Sequence, residues 1–429
     1  MPRLAFVSPL PPAATGIADY AAEVLDLLAA RHSLEAFHDQ ETLDAGRLPA
    51  GVPGRRAHEL AARHRERPYD AIVYQMGNGT AHAFLYPLLA HLPGLMVLHD
   101  LVLHHSRART FFDSDEARAY AADPASSERR TAAQLRLTQY RAELAYCYPD
   151  AAVRLAEAQL STVGKLLPYA YPLFRLPVEA SRMVAVHNAF MAEAVRAEVP
   201  EACVSLIPHQ AKRRPVSAAD IAALRGQLGI EAQDLVVGAF GQLTPEKRIG
   251  SLARAVARCA ADLPRLRLLL VGPVPEPAAL ERLLAELGIA GRTVVTGCVP
   301  FDSLPVHMEA ADLVVHLRYP TARETSGALL RVLAQGRPTM VSDLEHQAEI
   351  PEDAVLRLDV RDEEGELTRA LLRLGRRPSL RERLGRRAAE YVAHAHSPAR
   401  TAEAYEAAIE ETRRRPDPAP RAWPAHWLA

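Results

Sequence analysis

Lys247, Glu324 and the run Ser326-Gly327-Ala328 are the residue types best suited here to hold a phosphorylated ligand. At a helix start, the backbone N–H groups of Ser326, Gly327 and Ala328 would have no intrahelical partner, and the helix dipole would favour an anion beside them. Gly327 would let a phosphate approach the backbone closely. Lys247 could neutralise a phosphate as a point charge. Glu324 lies just upstream of Ser326, where an anion would repel it. It is better suited to accept from hydroxyls of an attached group such as a sugar. The alternative, that Ser326 only caps a helix and Glu324 only complements its dipole, stays open on local sequence alone.

These residues need a strand before them and a helix after. Ala311–Leu317 is a short apolar run rich in Val and Leu and reads as a buried strand. After the polar loop RYPTARETSG, Leu329, Val332 and Leu333 share one helical face. Gly336 is placed to end that helix in a left-handed conformation, and Pro338–Val341 is the next strand. The candidate loop thus lies at the carboxyl end of a strand, the ligand-binding edge of a parallel sheet. Lys247 occupies the same kind of turn, between the strand Asp234–Phe240 and a helix with Ile249, Leu252, Ala253, Val256 and Ala257 on one face.

The 429 residues suit two or three domains, and 49% apolar content is ample for large cores. With 51 basic and 52 acidic residues the net charge is −1, so no basic field suggests nucleic acid as a partner. The four cysteines, Cys147, Cys203, Cys259 and Cys298, show no CxxC spacing, which argues against a zinc site or a disulfide framework. The chain opens on a strand, LAFVS, with no signal-peptide pattern, and no apolar run is long enough to span a bilayer. The expected location is cytoplasmic.

In chain order, Leu4–Ser8 is a strand followed by LPPAATGI and a helix from about Asp19 to His32; Gly16 sits at that turn. DAIVYQ, from Asp70 to Gln75, is another strand and runs into MGNGTAH. Gly77 and Gly79 make half of a GxGxxG fingerprint, with His82 where the third glycine belongs. Together with Asp100 they give a nicotinamide-binding alternative, which the missing glycine weakens. His99 ends the strand Gly94–Leu98 at the sheet's carboxyl edge and is a better site candidate than most of the 17 histidines. Residues 101–180 carry few strand signals and read as a helical insertion with breaks near Pro124 and Pro149. Its Asp113-Ser114-Asp115 could hold a divalent metal, but a capping role fits its helix-leading position better. Met183–Val186 and Val204–Ile207 close the first sheet, and the basic, proline-bounded stretch Pro208 to Pro215 reads as a linker. Leu266–Gly272, Thr293–Gly297 and Ala354–Leu358 continue a second sheet, and Ala402–Arg415 is a final amphipathic helix. Alternating strands and helices in both halves predict two doubly wound α/β domains. Each carries its ligand loops at strand ends, and facing edges would form an interdomain cleft.

The segments GAFGQLTPEKRI, LLLVG, VTGCVP, AADLVVHLRYP, ETSGALLRVLAQGRP and VSD, in this order, resemble the retaining glycosyltransferases of family 4, glycosyl transferases group 1. PPAATGIADY, YQMGNG and VLHD look like a subgroup that builds bacterial polysaccharides and other glycoconjugates. The resemblance implies the GT-B architecture of two facing Rossmann-like domains. Residues 1–208 would form an acceptor-side domain, 216–400 a nucleotide-sugar domain, and 401–429 a helix and tail packing back on the first. It implies donor-diphosphate binding by Lys247 and by the backbone of Ser326, Gly327 and Ala328, with Gln242 on the same loop as Lys247. Glu324 would hold donor-sugar hydroxyls, and His99 would contact the sugar near the reacting carbon. Gly16 would border the phosphates, and the base would rest against Cys298-Val299. Tyr20, Asn78 and His82 would face the acceptor.

The resemblance further implies a nucleotide-diphosphate sugar as donor, a glycan, lipid-linked or other small acceptor, and no metal or other cofactor. A lipid-linked acceptor would bring peripheral contact with the cytoplasmic face of the membrane. Two positions depart from the family. Gln242 stands where an arginine is frequent, and Arg331 or Val332, depending on alignment, where a second glutamate would bind ribose. These departures support the alternative of a non-catalytic scaffold; a nucleotide-sugar epimerase on the same fold is a further alternative. Arg331 could instead reach a phosphate.

Overall fold

The computed structural model describes residues 1–123, 125–160, 166–419 and 421–428; the predicted break at Pro124 lies outside these. The chain forms two compact units. The first comprises Met1–Pro208, Ala322–Thr325 and Thr401–Ala429; the second comprises His209–Thr321 and Ser326–Arg400.

The first unit is built on a parallel sheet of β1 (Arg3–Val7), β2 (Ser33–His38), β3 (Gly54–Arg56), β4 (Ala71–Met76), β5 (Leu95–Leu98), β6 (Met183–Val186) and β7 (Val204–Leu206), in the order β3-β2-β1-β4-β5-β6-β7. Alternate residues of β1 feed opposite layers. Leu4 and Phe6 pack with Tyr20, Val24 and Leu25 of the Gly16–Ala29 helix, while Ala5 and Val7 pack with Leu60, Tyr74 and Leu98. A sheet covered on both faces needs strands apolar at successive positions, which is why these strands stand out in the sequence. Two do not. β3 is the edge strand and β2 lies next to it, and Glu35 of β2 is tied to Arg3 and Arg63. Their charge hides the strand pattern.

Between β5 and β6 the described residues are helical, among them His104–Phe112, Asp115–Ala122 and Ser127–Cys147. Ser114 caps the second of these and Asp115 pairs with Arg118, so the Asp113–Asp115 motif does capping work. A buried pair, Arg107 and Glu143, joins the first and third of these helices. Glu143 also accepts from the Trp427 indole and meets His426, both at 2.8 Å, and this docks the proline-rich tail.

The second unit carries β8 (Leu235–Phe240), β9 (Leu266–Val271), β10 (Thr293–Gly297), β11 (Leu313–His316), β12 (Thr339–Ser342) and β13 (Leu356–Leu358), all parallel, in the order β10-β9-β8-β11-β12-β13. Ser326 caps the Gly327–Ala334 helix, and Gly336, at φ 72°, follows it in the left-handed region. Gly385 permits a close crossing there, since a Cβ on it would stand 2.1 Å from the Gly336 carbonyl oxygen.

Candidate active site

In the second sheet the chain turns from β8 to β9 on one side and later returns to β8 with β11 on the other. The carboxyl ends of β8 and β11 therefore flank the switch point, where open α/β sheets bind ligands. Lys247 follows β8 and the Gly327–Ala334 helix follows β11. Lys247 is only 8% exposed, and its Nζ donates to the Phe240 carbonyl at 3.2 Å. The lysine is thus held at the strand end instead of waving in solvent. Gly241, at φ 94°, passes under it, and a Cβ there would lie 3.4 Å from Nζ.

His316, the last residue of β11, is 3% exposed, and its Nε2 has no hydrogen-bond partner among the described residues. Burial, then the positive charges of Lys247 and Arg318, hold its imidazole well below its ordinary pKa. The sequence signal for it is a histidine ending an apolar strand, weak by itself.

Gly327 is hemmed in. A Cβ there would lie 2.9 Å from Arg331 Nη1 and 3.0 Å from the His209 ring. The Arg331 guanidinium therefore folds back to the amino end of its own helix, and also lies 5.0 Å from the Phe301 ring centroid. A cation at a helix amino terminus works against the dipole unless an anion lies between them. Around this edge Cys298 and Gln242 are exposed, Val299 is partly buried, and Ser326 and Ala328 are half-buried.

The first unit repeats the plan with different chemistry. Its switch point lies between β1 and β4. Gly16 follows β1, and the Gly77–His82 loop follows β4. The two loops touch closely enough that a Cβ on Gly77 would stand 2.1 Å from Ile17 Cδ1. Here the predicted residues are enclosed. His82 is fully buried, with Nδ1 2.9 Å from the Gln75 carbonyl, and burial lowers its pKa to about 4. Tyr20 meets Tyr405 hydroxyl to hydroxyl at 3.1 Å and packs edge-on to His99 and His187. Asn78 accepts from the Ser106 N–H and donates its own N–H to Asp100. His99 is 6% exposed. Its Nε2 meets the Gln75 side-chain amide at 2.8 Å and its Nδ1 meets His187 Nε2 at 3.0 Å. His187 Nδ1 in turn donates to the Ile207 carbonyl at 2.8 Å. Both nitrogens of His99 are thus held by the protein. Sequence reasoning passed over Gln75, His187 and Tyr405, which hold it; Gln75 is a polar residue inside an apolar strand, the one signal available.

Glu324 belongs to the Ala322–Thr325 segment of this first unit and is half-buried. The structure thus groups Lys247, Gln242, Cys298, Val299, Ser326, Gly327 and Ala328 in one unit, and Gly16, Tyr20, Asn78, His82, His99 and Glu324 in the other.

Two parallel-sheet α/β units of this topology belong to the GT-B class of fold. Solved structures share it. The sucrose-phosphate synthase of Thermosynechococcus elongatus is 19% identical with a TM-score of 0.65, over 96% of this chain and 99% of that one. Anabaena Alr3699/HepE, solved in complex with UDP and glucose, is 17% identical with a TM-score of 0.66, over 96% and 100%. At these identities the likeness is one of fold. Residues 234–377 match the family model of glycosyl transferases group 1, the resemblance expected from the sequence. The D-inositol 3-phosphate glycosyltransferase of Nocardia farcinica is 32% identical over 223 residues, 48% of this chain and 48% of that relative. The chain thus spans about half the length of this curated relative. No helix among the described residues is long and apolar enough to cross a membrane.

Proposed function

We propose that this protein is a retaining glycosyltransferase that moves a sugar from a nucleotide-diphosphate sugar to a hydroxyl of a glycan, lipid-linked or other small acceptor. One observation carries the reading. Inside the segment that matches glycosyl transferases group 1, a buried lysine and a helix amino terminus flank the switch point of a parallel sheet. That arrangement suits a diphosphate. Lys247 and the N–H groups of Ser326, Gly327 and Ala328 would stabilise charge developing on the departing nucleoside diphosphate. Groups of this kind are worth about 3 kcal/mol each. Arg331 would add a second cation at the same helix end. Glu324 would hold the donor sugar's hydroxyls. The acceptor hydroxyl would attack from the face the diphosphate leaves, with a donor phosphate oxygen taking its proton, so the reaction requires no metal. Acceptors embedded in a membrane would be reached by peripheral contact.

Thermal stability against UDP-, GDP- and ADP-sugars, with NAD and NADP as controls, tests this. A ligand at 100 times its dissociation constant adds about 2.7 kcal/mol. A shift with one sugar nucleotide, absent in Lys247→Ala, is the expected result. No shift with any sugar nucleotide would overturn it and favour a scaffold role. A shift with NAD alone would favour a dehydrogenase.

A further inference from the structure

The stretch Ala322–Thr325 follows β11 in sequence yet packs within the first unit. Its backbone is not relaxed. Arg323 sits at φ 61°, a left-handed conformation that costs a residue with a Cβ about 1–2 kcal/mol. Such a conformation persists only where neighbours impose it. The Leu101 N–H donates to the Ala322 carbonyl at 3.0 Å. The Arg323 guanidinium lies 5.4 Å from the Phe190 ring centroid. One side chain reaches the segment at two points. Asn188 Nδ2 donates to the Arg323 carbonyl at 3.2 Å and to Thr325 Oγ1 at 3.0 Å. These two atoms bracket Glu324.

Asn188 is 3% exposed and has a second task. It caps the Ala189–Glu198 helix, with Oδ1 accepting the Met191 N–H at 2.9 Å. The two tasks fix its orientation. Met191 N–H can only donate and the Arg323 carbonyl can only accept, so the amide oxygen must face the helix and the nitrogen the loop. A cap alone would be served as well by aspartate or serine. Only asparagine caps with one end and clamps with the other.

We propose that Asn188 is a positioning residue for Glu324, clamping the backbone on both sides of that carboxylate and holding it in its strained turn. The inference rests on the reading of Glu324 as the group that holds the donor sugar. The effect of Asn188 on turnover then passes through Glu324, while nucleotide affinity, set by Lys247 and the Gly327–Ala334 helix, is independent of it.

Asn188→Asp separates the two tasks, because aspartate keeps the cap and loses both donors. Hydrogen exchange followed by mass spectrometry should show amides around 322–326 exchanging at least 10-fold faster, with the Ala189–Glu198 helix unchanged. Equal loosening of helix and loop, or of neither, overturns the clamp. With the sugar nucleotide that stabilises the protein, kcat should fall about 10-fold with the donor KM little changed. In a Glu324→Ala background the same substitution should cost nothing further, and an equal loss there overturns the route through Glu324. A disabled Glu324→Ala beside an unaffected Asn188→Asp overturns the positioning role alone. A fully active Glu324→Ala overturns the donor-sugar reading on which it rests.

Discussion

The two units present the same kind of sheet edge with opposite electrostatics. At the switch point of the second stand Lys247, Arg331, a His316 imidazole whose Nε2 has no partner among the described residues, and the start of the Gly327–Ala334 helix. At the edge of the first, His82, His99, His187, Gln75, Tyr20 and Tyr405 are buried, most of them bonded to one another. An edge that gathers positive charge at a helix start suits an anion. An edge whose polar atoms, apart from His82 Nε2, largely satisfy one another is suited to hold a shape. One topology can therefore serve as a diphosphate cradle or as a rigid wall, and the end-of-strand residues decide which.

The largest test of this contrast is Lys247→Ala. It should lower kcat/KM by about 100-fold or more, on the order of 3 kcal/mol, and abolish the sugar-nucleotide shift in melting temperature. Unchanged kcat/KM would break the comparison at its positive end.

Acid is the next test, and it addresses the neutral edge. His82, and His104 in the neighbouring helix, are each lowered to about 4 by burial. Between about pH 6.5 and 4 the unfolded chain binds protons that the folded one refuses, so stability falls as pH falls through that window and levels off below it. Each histidine accounts for up to about 3 kcal/mol over the interval. His82→Gln should flatten the fall in melting temperature between these pH values; an unaltered slope would show that His82 already carries a proton.

Arg331→Ala sharpens the first half of the contrast. Loss of a charged hydrogen bond to the diphosphate should weaken sugar-nucleotide binding by about 1.5–3 kcal/mol, measured by calorimetry. Equal affinity would return Arg331 to a role in packing against Phe301. The smallest effect is expected from Ser326→Ala. The lost cap should cost about 1 kcal/mol of stability in a denaturant titration, with binding weakened only modestly because the backbone N–H groups remain.

The central strands and their helices were legible because buried parallel strands need unbroken apolar runs. Met183–Val186 and Thr293–Gly297 lie where the sequence puts them, as do the Ser326 cap and the Gly336 stop. The outer strands β2 and β3 of the first sheet were not, since charge breaks their pattern. Lys247 was legible as a cation at a strand-to-helix turn, but an exposed lysine would read the same. Its burial against the Phe240 carbonyl depends on how the Gly241 loop folds beside it.

The sequence by itself determined which loops follow strand ends with residues suited to a phosphate, because end-of-strand position, a capping serine, a glycine and a lysine are local signals. Only the tertiary structure decided which side chains around those loops are enclosed and what holds them. Long-range partners settle that. Tyr405 reaches Tyr20 and Gln75, His187 reaches His99, and Asn188 reaches the backbone around Glu324 from a distant stretch of chain. No spacing rule links such pairs, since they meet only when the strands that carry them are packed into one sheet.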